Sequence, residues 1–87
     1  MTQSSAELDA LVRETLRNIA PDMDIDALGV DDDMRDALDI DSVDFLNFVA
    51  ALHEQTSVDI PERDYPMVST VGRCVDYLSK AVGGNRS

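Results

Sequence analysis

The stretch Leu38-Asp39-Ile40-Asp41-Ser42-Val43-Asp44-Phe45-Leu46 changes character at Ser42. Before it, acids alternate with aliphatic residues and no helical period is sustained. After it, Val43, Leu46, Val49, Ala50 and Leu52 are available for a core at helical spacing, and Phe45 and Phe48 widen that apolar surface. Asp41 stands where an N-cap belongs, because a short carboxylate accepts the N–H groups that a first helical turn leaves unpaired. The pattern predicts a helix from about Ser42 to Gln55 with a serine at its entrance.

Upstream, Ser4 with Glu7 three residues later reads as a capping box. Leu8, Leu11, Val12, Leu16 and Ile19 then predict an amphipathic helix of about four turns, stopped by Pro21. From Ala20 to Asp41 the chain carries apolar anchors at Ile25, Leu28, Val30, Met34, Leu38 and Ile40, which predicts a packed, functional loop. Asp32 or Asp33 is placed to cap a single helical turn through Ala37.

Downstream, Val58-Asp59-Ile60 leads to Pro61, well suited to open a helix; Glu62-Arg63-Asp64 give it a polar face before Pro66 ends it. The last helix is expected to begin near Ser69 or Thr70, to bury Val71, Cys74, Val75, Leu78 and Val82, and to end at Gly83-Gly84, with residues from about 83 to 87 frayed. No strand pattern or internal repeat interrupts this order. The expectation is an all-α four-helix bundle in a single domain over residues 1–87, with three longer helices, one short helix and a long loop between the first and second.

Composition excludes several functions. Eighteen acids against seven bases give a formal charge of −11, which repels phosphate backbones and anionic headgroups, so neither nucleic acid nor a membrane surface is an expected partner and basic protein surfaces are. Arg13, Arg17, Arg35, Arg63, Arg73, Lys80 and Arg86 are scattered and form no patch; most read as local charge partners. The single cysteine, Cys74, allows no internal disulfide or thiolate cluster and reads as a small buried apolar residue. With no bilayer-length apolar run and no signal peptide at Met1-Thr2-Gln3-Ser4-Ser5, a cytoplasmic monomer is expected.

The Asp41-Ser42 pair, followed by Val43 and Asp44, resembles the attachment signature of the acyl carrier family. Val58-Asp59-Ile60-Pro61 is similar to that family's loop before its third helix, and Ser69-Thr70-Val71 to the start of its fourth, so the resemblance covers nearly the whole chain. It implies that Ser42 carries 4′-phosphopantetheine, donated by coenzyme A through a phosphopantetheinyl transferase. It also implies a non-enzymatic protein that holds acyl intermediates as thioesters and delivers them to partner enzymes. By the same resemblance Asp41 and Val43 complete the attachment motif, and Asp41, Val43, Asp44, Asn47, Ala50, His53, Glu54, Glu62 and Asp64 form the docking surface for enzymes with basic faces.

Two departures from the family pattern stand out. Asp39 occupies a position that is commonly glycine, which puts the loop geometry there in question. Asn47, Ala50 and His53 replace acidic, methionine and acidic residues of carriers in bulk fatty acid synthesis, which points to a dedicated partner set in a fatty acid, polyketide or specialised pathway. An aminoacyl or peptidyl carrier loaded by an adenylating ligase is the alternative.

Two rival chemistries meet obstacles in the residues themselves. A Ser-His nucleophile fails on distance, since His53 lies eleven residues from Ser42, about 16 Å along one helix; it reads as a surface residue. An arm-free acidic calcium module is suggested by Asp22-Met23-Asp24-Ile25-Asp26, but Ala27 stands where the calcium loop needs glycine, and no metal ligand is assigned. Met23, Met34 and Met67 read as flexible packing under loops.

Overall fold

The computed structural model describes residues 5–84, with side-chain environments through Ala81. Four α-helices are present: α1 (Ser5–Ile19), α2 (Met34–Leu38), α3 (Ser42–Thr56) and α4 (Val71–Gly84). Two 3₁₀ segments, Ile25–Ala27 and Glu62–Val68, complete the order. The all-α expectation holds. Ser4 of the expected capping box and the tail residues 85–87 lie outside the described residues, as does the side chain of Val82, while residues 83 and 84 are helical.

Each long helix buries the stripe its spacing dictates. Leu8, Val12 and Leu16 of α1 meet Phe45, Phe48, Val49 and Leu52 of α3 and Val71, Cys74 and Leu78 of α4 in one continuous core. Phe48 is fully buried, so truncating it to alanine removes about 3–5 kcal/mol. Thr15, the one buried polar residue of the described core, donates its hydroxyl to the Leu11 carbonyl and accepts Gln55 Nε2 at 2.9 Å, which ties the end of α3 to α1.

The long loop is more ordered than an unperiodic sequence announces. Ile25, Leu28, Met34, Leu38 and Ile40 are buried, and Arg13 Nη1 donates to the carbonyls of Ile25 and Leu28, both at 2.9 Å. A cation on α1 thus pairs the Leu28 carbonyl and gives the Ile25 carbonyl, which also accepts the Leu28 N–H, a second donor. Asp33 caps α2 by accepting from the N–H groups of Arg35 and Asp36. The far side of the loop is pinned to α4: Met34 N–H donates to Ser69 O, and Gly72 N–H to Val30 O at 2.9 Å. A Cβ at residue 72 would lie 3.1 Å from that same carbonyl, a tight contact, so glycine lets the two segments approach without displacing the loop by a few tenths of an ångström.

Four expectations are corrected. The segment Glu62–Val68 runs through Pro66 instead of ending there, because a 3₁₀ helix matches the proline φ and loses only one i−3 bond. Val30 is 48 % exposed; its backbone, not its side chain, anchors the loop. Met23 and Met67 are exposed, leaving only Met34 as packing. Val43, Leu46 and Ala50 face solvent, since Phe45, Phe48, Val49 and Leu52 already fill the inward face of α3. Among the described residues, no helix is long and apolar enough to cross a membrane.

Burial pushes the Cys74 thiol up from 9.0 to about 12. Below pH 9 both folded and unfolded chains keep that proton and the contribution to stability is complete. Above pH 9 the unfolded chain loses its proton first, so stability falls at about 1.4 kcal/mol per pH unit until the folded thiol ionises near 12. Denaturant melts between pH 8 and 11 should show this decline, and Cys74→Ala should flatten it; equal slopes in the two proteins would contradict the assignment.

Candidate functional site

Three residues, Asp39, Ile40 and Asp41, join α2 to α3. Asp39 adopts φ 53°, ψ 42°, the left-handed conformation that ends a helix. Its N–H and that of Ile40 both return to the Arg35 carbonyl, the latter at 3.2 Å, while the Ile40 side chain enters the core cluster that also holds Met34. Aspartate tolerates this conformation better than most residues. The geometry questioned for lack of a glycine is therefore the left-handed turn, built on Asp39 instead.

Asp41 then caps α3. Its Oδ1 accepts the Asp44 N–H at 2.9 Å, and its backbone carbonyl accepts the Phe45 N–H at 3.0 Å. Ser42 is the first residue of α3 and is exposed. Among the described residues no group hydrogen-bonds its hydroxyl. The site thus presents a primary alcohol on a backbone that the Asp41 cap and the burial of Phe45 hold still. A hydroxyl modified by a second enzyme must have these properties, so the residues fit a phosphate ester.

Behind Ser42 the helix is anchored by rings. Phe45 lies 5.9 Å from Phe48 and meets Tyr65 edge-on at 5.6 Å, which fixes the short 3₁₀ helix beside α3. The Arg35 guanidinium sits over the Phe45 ring at 5.7 Å.

The expected docking residues divide by surroundings. Asp41, Val43, Asn47, Ala50, His53 and Glu54 are exposed on α3, with Asp44 half-buried at its start and Glu62 exposed on the 3₁₀ helix. Asp64 is half-buried and accepts the Tyr77 hydroxyl at 2.7 Å, so one of its oxygens is committed within the fold. Desolvation of the Tyr77 phenol, then its bond to Asp64, raises its pKa above the ordinary value. His53 Nδ1 lies 3.0 Å from the Val58 carbonyl; a carbonyl only accepts, so Nδ1 carries the proton and the ring is held against the turn after α3.

Leu46, whose spacing offers it to the core, lies on the same outward face. At 48 % exposure it joins Val43, at 62 %, and Ala50 in an apolar series along the outward face. The signal was present as a second set of apolar residues at i, i+3 and i+7, offset from the core set.

The acids of the long loop do not converge. Among the described residues no three His, Cys, Asp or Glu side chains are placed to hold a metal ion. Asp26 pairs with Arg17, Asp32 accepts the Gly29 N–H and Asp33 caps α2, so these carboxylates are spent on local structure.

Because an aspartate in the left-handed region is strained where glycine is not, Asp39→Gly should stabilise the fold by about 0.5–1 kcal/mol in denaturant melts. A loss of stability would show that the Asp39 side chain contributes more than its backbone costs.

Residues 7–78 match the family described as "Phosphopantetheine attachment site". The chain is 40 % identical over 58 residues to an acyl carrier protein of Kineococcus radiotolerans, covering 67 % of this chain and 72 % of that one. It is 29 % identical over 75 residues to an acyl carrier protein of Streptomyces coelicolor, covering 86 % and 80 %. It is also 30 % identical over 76 residues to a segment of the non-reducing polyketide synthase Preu3 of Preussia isomera, covering 87 % of this chain and 3 % of that protein. The fold is similar to the acyl carrier protein structure from Enterococcus faecalis, with a TM-score of 0.77 and 25 % identity over 91 % of this chain and 99 % of that one. The chain belongs to the acyl carrier protein family, whose members carry acyl groups on a covalently attached 4′-phosphopantetheine.

Proposed function

We propose that Ser42 is the attachment point and that the outward face of α3 is the docking surface of a monomeric, cytoplasmic carrier that is not itself an enzyme. The observation that carries this reading is the exposed, uncommitted Ser42 hydroxyl at the first position of a capped, ring-anchored helix. In the modification, Ser42 Oγ bonds to the phosphorus bearing pantetheine as the pyrophosphate of coenzyme A breaks; the hydroxyl proton passes to the transferase and the nucleoside bisphosphate leaves. Once attached, the arm supplies a thiol that holds the acyl group as a thioester.

The chain's own residues position and present the site. Asp41 orients the first turn and occupies the Asp44 N–H, and Phe45 keeps the helix end from swinging. Val43, Leu46 and Ala50 offer apolar contact, while Asp41, Asp44, Glu54 and Glu62 surround it with negative charge. A partner with an apolar groove edged by basic residues fits this surface. Exposed charges steer encounter and weaken with salt, whereas the apolar centre sets residence. With Asn47, Ala50 and His53 in place of further acids and a methionine, the surface favours a dedicated set of acyl-loading and acyl-using enzymes over the general fatty acid synthase.

Incubation with coenzyme A and a broad-specificity phosphopantetheinyl transferase should add the mass of one phosphopantetheine to the full chain and none to Ser42→Ala. Equal modification of both proteins, or of neither, would overturn the attachment reading.

For docking, Leu46→Asp should weaken binding to a cognate partner about tenfold, a loss of roughly 1.4 kcal/mol, while changing stability by no more than about 0.5 kcal/mol. The same affinity should fall as salt rises. Binding that is indifferent to both changes would place the partner surface elsewhere.

A further inference from the structure

Between Arg17 and Arg63 the sequence contains one arginine and no lysine. That arginine is Arg35, and acids surround it in sequence: Asp31, Asp32, Asp33, Asp36, Asp39, Asp41 and Asp44. Arg13, Arg17 and Lys80 each pair with a carboxylate. The Arg35 side chain pairs with none among the described residues, although it is exposed in the most acidic part of the chain.

Two features tie it to the start of α3. The Arg35 carbonyl accepts the N–H groups of Asp39 and Ile40, so its backbone is bound to the turn that delivers α3. Its guanidinium rests on the Phe45 ring. Phe45 is three residues from Ser42 on one helix, which puts their Cβ atoms about 5–6 Å apart. A guanidinium stacked on a ring keeps its N–H edges directed outward and available to oxygen acceptors.

Attaching the arm places a permanent negative charge on Ser42, beside Asp41 and Asp44. The helix N-terminus offsets only part of this, because Asp41 already occupies the Asp44 N–H. We infer that Arg35 is a positioning residue for the arm: its guanidinium, stacked on Phe45, pairs with the phosphodiester on Ser42 and directs the arm toward the α2 side of α3. Arginine suits this task because its planar fork binds two phosphate oxygens at once, whereas lysine supplies only a point charge.

The inference rests on attachment at Ser42, and the test separates the two. Full-length protein is loaded from coenzyme A, the loading is verified by intact mass, and the arginine Nε–H and phosphorus NMR signals are compared between apo and loaded forms. Loading should shift the Arg35 Nε–H signal by more than its linewidth at low salt. That shift should shrink toward zero at about 1 M salt, where charges are screened beyond roughly 3 Å. Arg35→Gln should move the phosphorus signal of the loaded protein, and Arg35→Lys should restore part of that displacement.

A role confined to bracing Phe45 predicts equal stability losses for Arg35→Gln in the apo and loaded forms and an unmoved phosphorus signal. That result, or a loaded wild-type protein whose Arg35 signal stays in place, overturns the inference while leaving attachment intact. Absence of any mass gain overturns attachment, and the inference with it.

Discussion

Asp39 in the left-handed conformation lets α2 end and α3 begin within three residues. The turn returns two N–H groups to the Arg35 carbonyl and drops Ile40 into the core, so α3 starts from a fixed point. Asp41 then caps the helix, Ser42 emerges on its first turn, and Phe45 descends between Phe48 and Tyr65. Mobility in this turn would spread into the position of the serine, because no other covalent path enters α3 from that side.

The same region shows how an acidic chain uses its charge in local structure. Asp33 and Asp41 cap helices, Asp32 closes a turn, and Asp26 and Asp9 pair with arginines of α1. These are local jobs, each satisfying a backbone donor or one cation. Exposed acids such as Glu54 and Glu62 give the outward surface its negative potential. The two roles coexist because a short aspartate side chain reaches its own backbone while a glutamate extends past it.

The core accounts for which face of α3 is turned outward. Leu8, Val12 and Leu16 from α1 and Val71, Cys74 and Leu78 from α4 close against the Phe45–Leu52 face of α3. The opposite face of α3 is left with Val43, Leu46 and Ala50 in solvent, an apolar series that the core has no room to cover.

The sequence alone determined the three long helices, because apolar residues at helical spacing admit only one inward face for α1 and α4 and because proline and short capping residues mark the ends. It also determined the serine at the entrance of α3, which needs no more than Asp41 before an apolar-faced run. It did not determine which of two apolar sets on α3 turns inward, since Phe45–Leu52 and Val43–Ala50 both have helical spacing; contact with α1 and Tyr65 chose the first. Nor could it order the long loop, whose backbone is held by Arg13 on one side and by Ser69 and Gly72 on the other. Those partners are distant along the chain, and only the packed bundle brings them within hydrogen-bonding distance.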